Sequence, residues 1–150
     1  MSETIRPILA NACARAATAE EAAFRIDREI AGRKVLIVAL DPAASEVVDR
    51  AAERPWGAAR FFTTPDVDAV VAELEDTDVV IVVGTADADG EAASALARAG
   101  AERGIMLAGL ILGDQHEVAS AVSALRPYAR NLMLTEDEDD VAAVLTALRA

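Results

Sequence analysis

The sequence predicts an α/β domain, a three-layer Rossmann-like or flavodoxin-like fold on about five mostly parallel strands. Three observations predict it. Apolar runs of strand length alternate with helix-periodic segments five times along the chain. The central runs are continuously apolar, as strands covered on both faces must be. The connections are short and carry helix-capping residues, and right-handed crossovers then follow. Strand orders 2-1-3-4-5 and 3-2-1-4-5 both satisfy this pattern.

The chain begins with a pair of helices over residues 1–32. Ile5, Leu9, Ala12 and Ala16 recur at helical spacing. Thr18 with Glu21 makes a capping box, in which hydroxyl and carboxylate each satisfy a free amide. Ala22, Ile26 and Ile30 then form one apolar stripe, and Gly32 stops the helix.

Residues 33–150 make the Rossmann-like core of what reads as a single domain. Its first strand is Lys34–Leu40, KVLIVAL. Asp41-Pro42 is an N-cap followed by a first-turn proline, opening a helix to about Glu53. After the turn at Pro55-Trp56-Gly57 comes a short second strand, Ala59–Thr63. Thr64-Pro65 repeats the cap-and-proline device for a helix carrying Val67, Val70, Val71 and Leu74. The third strand is Asp78–Val83, and the loop Gly84–Gly90 leads into a helix ending near Gly104. Ile105–Leu112 is the fourth strand, followed by Gly113-Asp114 and a helix with Val118, Ala121, Val122 and Leu125 inward. Pro127 closes or kinks that helix. Asn131–Leu134 is the fifth strand, and the acidic run 136–140 opens a terminal helix, Val141–Arg149.

Composition narrows the function. At 150 residues the chain can bury a core without staples. It is 53% hydrophobic but only 3% aromatic, so Val, Ile, Leu and Ala must build that core. A net charge of −12 repels phosphate backbones and anionic lipid, which speaks against nucleic-acid and membrane partners. The one cysteine, Cys13, leaves no internal disulfide and fits a reducing compartment. The N-terminus lacks signal-peptide features, and no apolar run is long enough to cross a bilayer. A cytoplasmic protein is expected.

In an open parallel sheet the ligand lies beyond the carboxyl ends of the strands, where the strand order reverses. That rule selects Asp41 and Ser45 after the first strand, and Thr63 and Thr64 after the second. It selects Gly84, Thr85, Asp87, Asp89 and Gly90 after the third. Gly113, Asp114, Gln115 and His116 follow the fourth, and Thr135 and Glu136 the fifth. From these, Asp41, Ser45, Thr64, Gly84, Thr85 and Gly113 are the candidate ligand-binding residues.

The first loop reads ALDPAASE, with no glycine and with a carboxylate where pyrophosphate would approach. The usual NAD or FAD mode is therefore disfavoured, and no P-loop lysine motif occurs. Asp41, Asp87 and Asp89 are candidate oxygen ligands for a divalent cation. Acids at helix N-termini also simply complement the helix dipole, which is the competing explanation. His116, the one histidine, with Asp114 near it, is the candidate general acid or base.

From Lys34 to about Glu136 the order of features resembles the nucleotide-binding half of the tubulin-like cell-division GTPases. KVLIVAL stands at that family's first strand, and FFTTPD is similar to its second strand and threonine loop. DVVIVVGTADADGEAASALARAGAERGIMLAGLILG is similar to its third strand, glycine loop, helix and fourth strand. RPYARNLMLTEDED is similar to its fifth strand and acidic loop. The resemblance implies a nucleotide-binding fold. Where the family cradles phosphates on glycines and threonines, this chain has Thr85–Glu91 with two aspartates. Its first glycine loop is replaced by Asp41–Ser45. The segments SALRPYA and LTALRA are also similar to short proteobacterial proteins labelled ketopantoate hydroxymethyltransferases. True members of that class are larger (β/α)-barrels, which five βα units do not close.

Two functional readings follow. In the first, the chain is a non-catalytic or weakly ligand-binding domain that acts through self-assembly or a protein partner. In the second, it is a small-molecule or nucleotide-binding enzyme, metal-assisted or not, with its site at the carboxyl edge of the sheet.

Overall fold

Val35–Ala39 (β1) is buried along its whole length, which places it inside the sheet and under helices on both faces. The computed structural model of the chain describes residues 32–63 and 66–150. The helical pair, the Thr18–Glu21 capping box, Cys13 and Thr64 lie outside the described residues. Within 32–150 the elements after β1 are α1 (Pro42–Ala52), β2 (Ala59–Phe62), α2 (Val67–Ala72) and β3 (Val79–Gly84). They continue as α3 (Gly90–Glu102), β4 (Met106–Leu112), α4 (Ala119–Leu125), β5 (Asn131–Thr135) and α5 (Asp139–Ala147).

All strand pairs are parallel, in the order β2-β1-β3-β4-β5. Of the two orders that the sequence permits, this is the flavodoxin-like one. The chain runs from β1 outward to β2, then crosses back over β1 to place β3 on its other side. The strand order therefore reverses between β1 and β3.

The side-chain period of two sends alternate residues to opposite faces. Val35, Ile37 and Ala39, with Val79, Ile81 and Val83, meet α1 and α5 through Val47, Val48, Val141 and Leu145. Leu36 and Val38, with Val80, Val82 and Ile111, meet α2, α3 and α4 through Val70, Leu96, Ala121 and Leu125. Among the described residues, two helices on one face and three on the other give the three layers. Ala92, Ala93 and Ala97 bring α3 close to the sheet, so a core whose fully buried residues include no aromatic still packs, with Trp56, Phe61 and Phe62 half-buried at its margin.

The caps differ from expectation in one place. Asp41 caps α1 and Pro42 stands in its first turn, as the sequence pattern requires. The helix that the Thr64-Pro65 device should open instead begins at Val67, capped by Asp66, whose carboxylate accepts the Ala69 N–H at 3.2 Å. Asp66 serves as N-cap because its carboxylate reaches the free N–H of Ala69, three residues on, as a charge-assisted bond.

Candidate functional site

The crevice between the ends of β1 and β3 is where this topology would hold a ligand. Two helix N-termini, those of α1 and α3, border it. Each presents free backbone N–H groups and the positive end of a helix dipole, which together attract an anion. The sequence has supplied the anion itself.

Asp41 follows β1 directly and is 3% exposed. Its Oδ1 accepts the Ala44 N–H of α1 at 2.8 Å. Its Oδ2 accepts the Thr85 N–H, just past β3, at 2.7 Å. One carboxylate thus bridges the two walls of the crevice and uses an amide from each. Two backbone bonds close the same seam: Leu40 N–H to Val83 O at 2.8 Å, and Asp89 N–H to Leu40 O at 3.1 Å. At the other helix N-terminus, Asp89 Oδ1 accepts the Glu91 and Ala92 N–H groups at 3.0 and 3.1 Å.

Ser45 closes the β2 side. Its hydroxyl lies 3.0 Å from Asp41 O and also contacts Thr63 O, tying α1 to the end of β2. Gly84 is needed for close approach: a Cβ there would stand 2.7 Å from Ala88 Cβ and 3.3 Å from Ile111 Cδ1. Thr85 turns the loop, its carbonyl accepting the Ala88 N–H at 3.1 Å. Asp87 is exposed on that loop.

The residues after β4 stand apart from this seam. β3 separates β1 from β4, so Asp114 and His116 begin two strand spacings, about 10 Å, from the end of β1. Asp114 Oδ1 accepts the backbone N–H of His116 at 2.8 Å. That bond makes a turn and involves no imidazole atom. Gly113 adopts φ +139°, a left-handed value that favours glycine, and its N–H donates to Thr135 O at 3.0 Å. Thr135 in turn donates to the Asp140 carboxylate and accepts the Asp137 N–H at 3.0 Å, bracing the acidic start of α5.

The structure therefore brings Asp41, Ser45, Gly84, Thr85 and Asp89 together, and holds Asp114, His116 and Gly113 elsewhere on the same edge. Among the described residues, no three His, Cys, Asp or Glu side chains are grouped so as to hold a metal ion. Among the described residues, no buried side-chain nitrogen or oxygen lacks a hydrogen bond either.

Two cavities lie along the far edge of the sheet, one on each side of β5. One, of about 500 Å³, opens between α5 and the sheet and is lined by Ile81, Ala108, Met133, Val144 and Leu148. The other, of about 420 Å³, lies between α4 and β5 and is lined by Val122, Arg126, Leu132 and Leu134. Met133 and Leu134 are 46% and 40% exposed. The reading of the carboxyl edge missed this region, although the apolar run Leu132–Leu134 at the last strand was its available signal.

No family model matches the chain, and no curated protein matches it. The solved structures similar to it include three de novo designed proteins determined by solution NMR. One is 15% identical, covers 76% of this chain and 87% of its own, and has a TM-score of 0.49. A second is 20% identical, with 78% and 90% covered and a TM-score of 0.49. A third, described as having the P-loop NTPase fold, is 13% identical, with 77% and 90% covered and a TM-score of 0.47.

Proposed function

We propose that this chain is a non-catalytic α/β domain that works by associating with a protein surface, its own copy or another. The observation that supports this reading is the position of Asp41. Its carboxylate occupies the amides that a phosphate or carboxylate ligand would need, and burial holds it there. A competing anion would have to displace a buried charge from two charge-assisted hydrogen bonds, each worth about 1.5–3 kcal/mol. Among the described residues, the exposed large apolar side chains are Met133 and Leu134 on β5 and Tyr128 just before it.

Under this reading, the likeness to the tubulin-like GTPases is that of a nucleotide-binding core whose phosphate loops have been replaced. The net charge of −12 supports a protein that avoids nucleic acid and anionic lipid. No helix among the described residues is long and apolar enough to cross a membrane.

A thermal-shift screen with nucleotides, divalent cations and small carboxylic acids tests the reading. The melting temperature should stay within about 1 °C of the free protein. A ligand at a hundred times its Kd would raise it by roughly 10 °C. Such a rise, abolished by Thr85→Pro, which removes the Thr85 N–H, would restore the second reading, a ligand-binding enzyme at this edge.

A further inference from the structure

β5 is an edge strand: it pairs with β4 and, among the described residues, with nothing on its other side. Half of its backbone N–H and C=O groups therefore face outward without a ladder partner. Edge strands normally carry a lysine, a proline, a bulge or an inward charge to prevent pairing with another chain. Asn131-Leu132-Met133-Leu134-Thr135 has none of these. Its neighbours are ordered by charge instead, with Arg130 immediately before it and Glu136 immediately after.

That order is self-complementary. In an antiparallel pair about a two-fold axis at Met133, Arg130 of one copy stands opposite Glu136 of the other. Asn131 then meets Thr135, Leu132 meets Leu134, and Met133 meets itself. Every position finds a partner of matching character, and both charge pairs are of opposite sign. Arg130 and Glu136 are exposed, and neither forms a salt bridge among the described residues. Leu132 and Leu134 point to the α4 side, where they line the cavity of about 420 Å³, and the two-fold would bring a second such cavity against it. Met133 lies on the α5 side, lining the other cavity.

We propose that a second copy of this chain pairs with it through β5, antiparallel about Met133, joining two five-stranded sheets into one. This rests on the association reading above and names its partner and surface. A two-fold contact of this kind is isologous, so each residue change acts twice. Opposite charges directly across an antiparallel pair stabilise it and like charges oppose it, which makes the end pairs a direct probe of register.

The test is sedimentation velocity on the full chain over a concentration series. The wild type should shift from monomer to dimer as concentration rises. Arg130→Glu alone, or Glu136→Arg alone, should weaken dimerisation about tenfold, because each places two like-charge pairs at the interface. The double variant R130E/E136R should recover wild-type dimerisation. An equimolar mixture of the two single variants should form a heterodimer tighter than either homodimer. Both residue changes are on exposed positions, and unchanged thermal melts will show that the fold is intact. A wild-type chain that stays monomeric to millimolar concentration overturns the proposal. So does a dimer that ignores both single variants, but that outcome leaves the association reading standing with a different surface. The ligand screen above decides on that reading separately.

Discussion

The carboxylate of Asp41, at the end of β1, accepts the backbone N–H of Thr85, at the end of β3, at 2.7 Å. The two residues are 44 apart in sequence. Their bond closes the seam where the strand order reverses, and the other oxygen of the same carboxylate caps α1. One side chain thus serves the local helix start and the tertiary closure of the edge.

Asp41→Ala removes both bonds and leaves the Thr85 N–H short of its partner. It should destabilise the protein by about 2–4 kcal/mol, the sum of a lost cap and a lost charge-assisted bond. Asp41→Ser keeps a capping oxygen but is too short to span to Thr85, and should recover about 1 kcal/mol of that loss. Urea unfolding of the three proteins, read at the transition midpoint, checks the order.

Gly84 and Gly109 provide a matched pair. A Cβ on Gly84 meets Ala88 Cβ at 2.7 Å, and that short side chain can move only with its backbone. A Cβ on Gly109 meets Leu132 Cδ1 at 2.6 Å, the far end of a half-buried side chain that can rotate away. Gly84→Ala should therefore cost about 1–3 kcal/mol and Gly109→Ala less than about 1 kcal/mol. Thermal unfolding should rank them in that order.

The acid limb of stability should contain a contribution from Asp76. The Lys34 ammonium, bonded to it, holds the Asp76 carboxyl below its ordinary value of 3.8. A carboxyl whose folded value is lowered stabilises the fold above the unfolded value and loses that effect as pH falls through the folded one. The contribution is thus intact above about pH 4 and fades below it. Asp76→Asn should flatten the fall in unfolding free energy below pH 4 and leave its slope above pH 6 unchanged. Urea titrations across that range measure both slopes.

Much of this architecture was legible because it is local. KVLIVAL is apolar at every position, so a strand covered on both faces was the reading its pattern allowed, and β1 is buried throughout. Asp41-Pro42 announces a helix start by chemistry contained within three residues, and α1 begins there. Thr64-Pro65 announces one equally well, yet Asp66 caps α2. Two overlapping capping signals cannot be ranked from residue types alone when they are only two positions apart.

Arg60 was not legible at all. On β2, its guanidinium pairs with the Glu73 carboxylate and donates to Asp76 O at 2.9 Å and Thr77 Oγ1 at 2.8 Å. It satisfies carbonyls left open by the end of α2 and the turn after it. Nothing in the neighbourhood of Arg60 in sequence indicates those partners, which lie 13 to 17 residues on.

The sequence by itself determined the α/β class, the position of each strand and the acidic character of the carboxyl edge. These follow from hydrophobic period, capping chemistry and charge count, all of which act over a few residues. Only the tertiary structure decided that β1 lies between β2 and β3, and that the Asp41 carboxylate spends its two oxygens across that seam. It also decided that Leu132, Met133 and Leu134 stand on an edge with no neighbour among the described residues. The reason is physical: strand order and edge exposure depend on which distant segments share the burial of one sheet, and no local pattern records that choice.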